Sequence, residues 1–468
     1  MRFNFDQLGI RIRIWLEAAK RRKNAAHGVS RGEKRETDKA PAGRKSSSHS
    51  HTFSAVISAL GLRTTALAEL QDQGLLATFR RTNVTTKTTA TLWATMIFAT
   101  LSVSQAQTFT MLHSFTGTDG ANPQSTLIRD AAGNLYGTTY YDTSGYGTVF
   151  KMDKTHKVTV LYNFPGPPDA ANPSGPLLMD KSGNLYGTTV WGGAWNLGTV
   201  FQLSSTGAET VLHSFAGITD GVNPGGGVIS DPAGNLYGTT EGGSNGAGCD
   251  YYGCGIVFEL DTTGHEIILH TFNGEGDGAI PWAGLLRDSA GNLYGTTVEG
   301  GASGLGTVFK LDSAGTLTLL HSFAGTDGAY PYAGVIRDTK GILYGTTYEG
   351  GSSHVGTAFK LNKAGKLTVL HNFKGNTDGA YPPAALVRDS AGNLYGTTAQ
   401  GGSSSNFGTV FMLDSAGKAT VLHSFTTPRQ GMLPEAGLLL DKTGNLYGTT
   451  YYGGPRNSND GTVFKLTP

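Results

Sequence analysis

The heptapeptide Gly291-Asn292-Leu293-Tyr294-Gly295-Thr296-Thr297 decides the fold, because close copies of it recur along the chain. Successive copies lie 50 to 57 residues apart. Periods near fifty residues are typical of β-propeller blades and of repeat arrays. Seven units are marked in this way by their tyrosines, which are Tyr136, Tyr186, Tyr237, Tyr294, Tyr344, Tyr395 and Tyr447.

Four short strands are predicted in each unit, because apolar residues alternate there with small or polar ones. In the fourth unit they cover residues 283–288, 292–297, 306–312 and 316–323. Two connections are tight and contain a glycine that can adopt the positive φ of a hairpin turn. The other two are longer and vary between units. In an up-and-down sheet, the tight turns therefore gather at one end and the variable loops at the other.

The repeats predict an all-β fold, a single seven-bladed β-propeller of four-stranded blades over residues 107–468. A lone strand at residues 108–115 precedes the first complete unit, and the last unit ends after its third strand. We therefore expect this N-terminal strand to complete the last blade, which removes two exposed sheet edges. An open solenoid of β-hairpins is the alternative.

The first hundred residues differ in composition from the repeats. The formal net charge of the 468-residue chain is only +1, but basic residues are concentrated before residue 107. Residues 1–87 form a basic leader that we expect to be largely disordered. The repeats are net negative and have no basic stripe, which argues against nucleic acid as their partner.

Residues 88–106, together with Arg80, Arg81 and Lys87 just before them, have the three parts of a secretion signal. Basic residues precede an apolar stretch from Ala90 to Val103, and Ser104-Gln105-Ala106 has the small-x-small form of a cleavage site. The apolar stretch is shorter than the ~20 residues of a membrane span, which favours cleavage after Ala106 and no lasting membrane insertion. Because a signal should open a chain, we expect translation to start near residue 80. A membrane-anchored protein with a basic cytoplasmic tail is the alternative.

Two cysteines, Cys249 and Cys254, lie in the longest insertion between repeats. In an exported protein a pair this close predicts a disulfide across a loop. A metal site would need more ligands than two thiols, and the chain has no other cysteine.

The stretch from Gly334 to Thr347 and the stretch from Gly356 to Leu361 closely resemble the Gloeobacter/Verrucomicrobia-type ("GloVer") tandem repeat of bacterial proteins. The resemblance extends over roughly residues 108–468. The repeat is also similar, more distantly, to NHL-type propeller repeats. It implies an exported repeat protein, secreted, periplasmic or at the cell surface, and it implies no established activity.

Two repeated polar positions are candidate ligands. One holds His113, His213, His270, His321, His371 and His423, with Tyr162 in the remaining unit. Such a sevenfold position predicts a packing or hydrogen-bonding role. The other holds Asp119, Asp169, Asp220, Asp277, Asp327 and Asp378. We interpret these aspartates as turn-forming residues, with Ca²⁺ sites in the loops as the alternative. We expect no metal and no cofactor.

The variable-loop face is the candidate binding surface, because aromatic and acidic residues alternate there where the second strand enters the loop. Aromatic rings stack on sugars and carboxylates accept hydrogen bonds from hydroxyls, which favours a glycan or cell-surface polymer as ligand. The predicted ligand-binding residues are Tyr141, Trp191, Glu241, Glu299, Glu349, Gln400 and Tyr452, with Trp282 in a loop of the same face.

We expect the ring to be a monomer, and three functions remain open for it. The even repetition favours a non-catalytic binding or structural module. A secreted enzyme acting on glycans, as hydrolase or lyase, would use Glu299 and Glu349 as acid and base; a lactonase-like hydrolase is a further enzymatic alternative. A protein-interaction scaffold is the third.

Overall fold

The computed structural model describes residues 107–244, 249, 253–455 and 459–467, and these form seven antiparallel sheets. A first strand, β1 (Thr108–Ser114), precedes the complete blades. Blade 1 consists of β2 (Ile128–Arg129), β3 (Leu135–Thr139), β4 (Thr148–Met152) and β5 (Val158–Asn163). Blade 2 consists of β6 (Ala170–Pro173), β7 (Leu178–Met179), β8 (Leu185–Gly192), β9 (Thr199–Leu203) and β10 (Glu209–Ser214). Blade 3 consists of β11 (Ile229–Ser230), β12 (Leu236–Thr240), β13 (Ile256–Leu260) and β14 (Glu266–Thr271).

The remaining blades repeat the four-stranded pattern. Blade 4 consists of β15 (Leu286–Arg287), β16 (Leu293–Thr297), β17 (Thr307–Leu311) and β18 (Leu317–Ser322), and blade 5 of β19 (Ile336–Arg337), β20 (Leu343–Thr347), β21 (Thr357–Leu361) and β22 (Leu367–Asn372). Blade 6 consists of β23 (Val387–Arg388), β24 (Leu394–Thr398), β25 (Thr409–Leu413) and β26 (Ala419–Ser424). Blade 7 contains β27 (Leu439–Leu440), β28 (Leu446–Thr450) and β29 (Thr462–Thr467).

The N-terminal strand closes the ring, as the sequence predicted. Strand β1 pairs with β29, so the seventh sheet has the order β1-β29-β28-β27. The propeller of four-stranded blades is therefore confirmed. The leader of residues 1–87 and the signal-like residues 88–106 lie outside the described residues. Within the described part of the chain, no helix has the length and hydropathy of a membrane span.

The repeated heptapeptide folds as a hairpin because an aspartate ties it together. In blade 4, Asp288 Oδ1 accepts a hydrogen bond from the Asn292 backbone N–H at 3.0 Å. Its Oδ2 accepts from Asn292 Nδ2 at 2.9 Å and from the Tyr294 hydroxyl at 3.1 Å. One carboxylate thus satisfies the turn and fixes the tyrosine of the next strand, which explains why these residue types recur together.

Neighbouring blades pack through a repeated pair of phenylalanines. Each blade ends in a fully buried phenylalanine that makes a T-shaped contact with the third-strand phenylalanine of the next blade. The pair Phe323 and Phe359 has ring centroids 5.3 Å apart, and Phe115 meets Phe150 at 5.2 Å where blade 7 joins blade 1. Because each hydrophobic cluster spans two blades, no blade buries its core alone.

The first strand of each blade is shorter than predicted. In blade 4 it covers Leu286–Arg287, whereas we expected it to begin at Ala283. The reason is crowding between neighbouring blades: a Cβ on Gly284 would lie 2.6 Å from the Gly226 carbonyl oxygen of blade 3. Thr239 of blade 3 donates a hydrogen bond to the Ala283 carbonyl oxygen at 3.0 Å. The residues at the start of the predicted first strand therefore contact the neighbouring blade instead of pairing with the second strand of their own blade.

Candidate functional site

The variable-loop face is shaped by a short extra pairing at the end of each second strand. Six of the predicted ligand-binding residues occupy one equivalent position, each opposite a residue that leads towards the first strand. The pairs are Ala121 with Tyr141, Ala171 with Trp191, Ala279 with Glu299, Ala329 with Glu349, Ala380 with Gln400 and Met432 with Tyr452. The structure therefore gives these six residues the same place in their blades.

Glu241 does not share that place. In blade 3 it is Gly242 that pairs with Val222, so Glu241 lies one residue earlier. The reason is that the loop of blade 3 is one residue shorter at this point, where Thr240 is followed directly by Glu241 and two glycines. Because successive side chains of an extended segment point to opposite sides, Glu241 has a different orientation from its expected counterparts. Its carboxylate accepts a 3.4 Å hydrogen bond from Asn223 Nδ2.

Sequence reasoning missed a second ring of positions, each directly before a proline. In all seven blades this residue adopts the left-handed conformation, with φ between 54° and 60°: Asn122, Asn172, Asn223, Ile280, Tyr330, Tyr381 and Leu433. Asparagine tolerates this conformation, but larger residues are strained by roughly 1–2 kcal/mol. The Asn-Pro pairs of blades 1 to 3 were the available signal.

The backbone of this position is held in the same way in each blade. In blade 5, the Tyr330 N–H donates to the Leu305 carbonyl oxygen at 2.9 Å, and its own carbonyl oxygen accepts from the Tyr348 N–H at 3.0 Å. In blade 6, Tyr381 makes the equivalent bonds with Val355 and Ala399. The scaffold therefore imposes the left-handed backbone, and blades 4 to 7 carry large side chains there despite the strain.

Three tyrosines form a chain of ring contacts over blades 5 and 6, and Tyr330 adjoins them because its carbonyl oxygen accepts the backbone N–H groups of Tyr332 and Tyr348. We call Tyr330, Tyr332, Tyr348 and Tyr381 the tyrosine patch. The Tyr332 and Tyr348 rings meet edge to face with centroids 5.3 Å apart, and Tyr348 lies 5.1 Å from Tyr381. All four are half-buried. The patch thus offers several connected ring surfaces on the variable-loop face.

Two of the predicted acidic residues border the tyrosine patch. Burial raises the pKa of Tyr330, and the carboxylates of Glu349 and Glu299 raise it further. Both carboxylates therefore lie within electrostatic range of one tyrosine hydroxyl. Glu299 is exposed and Glu349 is half-buried. The structure brings these two residues of adjacent blades together around Tyr330.

A second aromatic group lies where the ring closes. Tyr140 and Tyr141 of blade 1 meet at 4.7 Å, as do Tyr451 and Tyr452 of blade 7. Burial raises the pKa of Tyr452, with further contributions from Glu435 and Tyr141. The two groups therefore approach each other across the blade 7 to blade 1 junction.

The predicted tryptophans occupy other parts of the ring. The Trp282 indole packs on the backbone of blade 3 at Gly225. A Cβ added to Gly225 would lie only 3.2 Å from this indole. Trp191 is half-buried in blade 2. Trp195, in the loop of the same blade, is 66% exposed. Trp191 and Trp195 thus belong to blade 2, whereas the tyrosine patch belongs to blades 5 and 6.

The repeated histidines and aspartates are partners in the outer part of each blade. His321 Nε2 lies 2.8 Å from Asp327 Oδ2, and the other aspartate oxygen accepts from the Ala324 backbone N–H at 2.9 Å. The same pairing joins His113 to Asp119, His270 to Asp277 and His371 to Asp378. The predicted hydrogen-bonding role of the histidines and the turn-forming role of the aspartates are confirmed for these blades.

The seventh copy of this pair is different. Gln430 takes the place of the aspartate and accepts the Thr426 backbone N–H through Oε1 at 3.1 Å. Because glutamine replaces the aspartate that pairs with the histidine in other blades, His423 instead stacks on Phe109 of strand β1, with ring centroids 4.0 Å apart. Burial lowers the pKa of His423 to about 4. This histidine is therefore neutral at physiological pH.

The predicted disulfide is present. Cys249 and Cys254 are bonded across the loop of blade 3. Cys254 is fully buried against the core shared with blade 4. The bond therefore attaches this insertion to the propeller.

Structural comparison finds propeller proteins at low similarity. The extracellular domain of a protein described as a one-component system from B. thetaiotaomicron is 10% identical, with a TM-score of 0.48 over 77% of this chain; the chain spans only 40% of that domain's length. A gluconolactonase from Xanthomonas campestris is 15% identical, with a TM-score of 0.40 over 78% of this chain and 92% of its own. A luciferin-regenerating enzyme is 12% identical, with a TM-score of 0.41 over 77% and 95%. These similarities carry no argument about function.

Sequence comparison is more specific. No curated protein matches this sequence. The Gloeobacter/Verrucomicrobia repeat matches residues 85–251 and 245–464, which covers every blade of the propeller. The chain therefore belongs to the Gloeobacter/Verrucomicrobia repeat family.

Proposed function

We propose that this protein is a non-catalytic binding module that recognises a glycan through the tyrosine patch on its variable-loop face. The observation that carries the proposal is the left-handed backbone of Tyr330 and Tyr381, at φ 55° and 57°. Three other blades carry asparagine at this position, so the fold does not require an aromatic ring there. Strained residues of this kind cluster at ligand sites.

The chemistry of the patch suits a sugar ligand. Tyrosine rings present apolar faces on which the C–H face of a pyranose can stack, and their hydroxyls remain available for hydrogen bonds. Glu299 and Glu349 add carboxylate acceptors for sugar hydroxyls. Rings and acceptors on one surface are what a neutral polyhydroxylated ligand requires.

The test begins with the full-length chain on a glycan array, followed by calorimetry with a glycan that it binds. Tyr330→Asn and Tyr381→Asn are the decisive variants, because asparagine occupies the equivalent position with φ 57° to 59° in blades 1 to 3. They should fold normally. Each lost ring should weaken binding about 2- to 10-fold, the equivalent of an aromatic contact of about 0.5–1.5 kcal/mol.

Matched controls separate stacking from general damage. Tyr381→Phe keeps the ring and should retain most of the affinity. Trp195→Ala removes an exposed ring outside the patch and should leave binding unchanged. If no glycan binds, or if the two asparagine variants bind as well as the wild type, the proposal is wrong.

The same samples test the enzymatic alternative with Glu299 and Glu349 as acid and base. A binding module should release no reducing sugar from the bound glycan. If sugar is released, and Glu299→Gln or Glu349→Gln abolishes the release, then the protein is a glycosidase.

We also propose that the chain is exported and cleaved after Ala106. The disulfide between Cys249 and Cys254 supports an oxidising compartment. N-terminal sequencing of the mature protein from the producing cells should begin at Gln107. A mature protein that retains the apolar residues 90–103 would contradict cleavage.

A further inference from the structure

One junction between blades carries a cluster of ligand-type side chains. His213 of strand β10 and Asp220 of the following loop belong to blade 2, whereas Glu266 of strand β14 belongs to blade 3. His213 Nε2 lies 3.3 Å from Asp220 Oδ2 and 3.8 Å from Glu266 Oε2. Each of the three residues offers one atom that could ligate a metal ion, and these three atoms all lie within 4.8 Å of one another.

The position of Glu266 is acidic in only one other blade, where Glu209 stands. The equivalent outer-strand residue is apolar in blades 4 and 5, where Leu317 and Leu367 stand. The Glu266 side chain is only 10% exposed. Its buried Oε1 has no hydrogen-bond partner in the described structure. A buried carboxylate without a partner is costly, which indicates that the site is built for a positively charged ligand.

The histidine beside it is also unlike its counterparts. In four other blades the histidine Nε2 is hydrogen-bonded to its aspartate at 2.8 to 3.1 Å. At this junction the pair widens to 3.3 Å, and His213 Nε2 has no hydrogen-bond partner among the residues that the structure describes. Asp220 is still oriented by the loop, because its Oδ1 accepts the Ala216 N–H at 2.7 Å. Its Oδ2 therefore remains available on the side facing His213.

We propose that His213, Asp220 and Glu266 bind one divalent transition-metal ion, Zn²⁺ being the best fit, and that the ion clamps blade 2 to blade 3. Zn²⁺ takes nitrogen and oxygen ligands at about 2.0–2.2 Å, so the edges of its tetrahedron measure about 3.3–3.6 Å. The His213 to Asp220 distance already lies in this range. The Glu266 carboxylate, whose Oε2 lies 3.8 Å from His213 Nε2, must move closer to complete this geometry. One imidazole with two carboxylates suits Zn²⁺ better than Ca²⁺, which prefers six or more oxygen ligands.

The neighbouring junction supplies a natural comparison. Between blades 1 and 2, Asp169 and Glu209 repeat the two carboxylates, but Tyr162 takes the place of the histidine. The Tyr162 hydroxyl donates to Asp169 Oδ2 at 2.8 Å. Within the described part of the chain, Glu209 Oε1 is also buried without a hydrogen-bond partner. This junction has both acids and lacks only the nitrogen ligand. Tyr162→His should therefore create a second site.

The experiment is a Zn²⁺ titration of the full-length, untagged chain by calorimetry, with thermal unfolding of the propeller as second readout. Wild-type protein should bind an ion that raises the unfolding temperature. Glu266→Leu, which copies the residue of blades 4 and 5, should weaken this binding at least about tenfold and abolish the thermal shift. Tyr162→His should add one bound ion per chain and enlarge the shift.

The readouts separate this site from other histidines. Zn²⁺ bound by the leader or by a remaining His–Asp pair would persist in Glu266→Leu. The proposal is overturned if wild-type protein shows no Zn²⁺-dependent thermal shift, or if Glu266→Leu, folded in the absence of metal, keeps the wild-type affinity and shift. A larger shift with Ca²⁺ than with Zn²⁺ would also overturn the assignment.

Discussion

Truncation of the phenylalanine that follows strand β1 should cost as much stability as truncation of its counterpart in the middle of the ring. Phe115 is 0% exposed and packs between Val463 of blade 7 and Phe150 of blade 1. Phe323 is equally buried and meets its partner at nearly the same distance. Removing such a buried ring costs about 3–5 kcal/mol. If β1 closes the ring, Phe115→Ala and Phe323→Ala should both fall in this range.

The assay is urea-induced unfolding of both variants and the wild type, followed by tryptophan fluorescence and by circular dichroism to check that unfolding is two-state. Phe323→Ala serves as the internal reference, because its position does not depend on closure. A loss of less than about 1 kcal/mol for Phe115→Ala, beside a full loss for Phe323→Ala, would show that β1 is peripheral. The ring would then be open, and our reasoning would be refuted.

Two further predictions concern packing and pH. Gly295→Ala should destabilise the protein by about 1–3 kcal/mol in the same urea assay, because the added Cβ would lie 2.5 Å from the Phe309 ring; a neutral effect would contradict this packing. The contribution of His423 to stability should also fall as pH is lowered from about 6.5 to 4, because His423 is charged in the unfolded chain but neutral in the folded one, where its pKa is about 4. The full shift corresponds to about 3 kcal/mol, which partial exposure reduces to about 2 kcal/mol. Midpoints measured at both pH values should show that His423→Gln loses less stability than wild type, and equal losses would contradict the assignment.

Much of the fold was predictable because its information is periodic. The spacing of the tyrosines set the number of blades, and the lone strand at residues 108–115 indicated how the ring closes, as the pairing of β1 with β29 confirms. The first strands were overestimated because their length depends on contact between neighbouring blades. Crowding of Gly284 against Gly226 is not visible within one repeat.

The candidate site was predictable only in part. Tyr141, Trp191, Glu299, Glu349, Gln400 and Tyr452 share one position because the repeats align there. Glu241 was displaced by a one-residue deletion that the repeat pattern hid. The left-handed backbone of Tyr330 was not predicted, because a tyrosine before a proline normally indicates extended backbone. The cluster around Glu266 depends on which outer-strand residues of two blades face each other, which a single repeat does not specify.

The central claim, that the tyrosine patch is the binding surface, is tested most directly by hydrogen–deuterium exchange of the full-length chain with and without its array-selected glycan. We predict protection in peptides that cover residues 329–332, 348–349 and 380–382, and none in the tight turns at 288–292 and 312–316. Protection confined to the tight-turn end, or none at a saturating glycan concentration, would contradict the account.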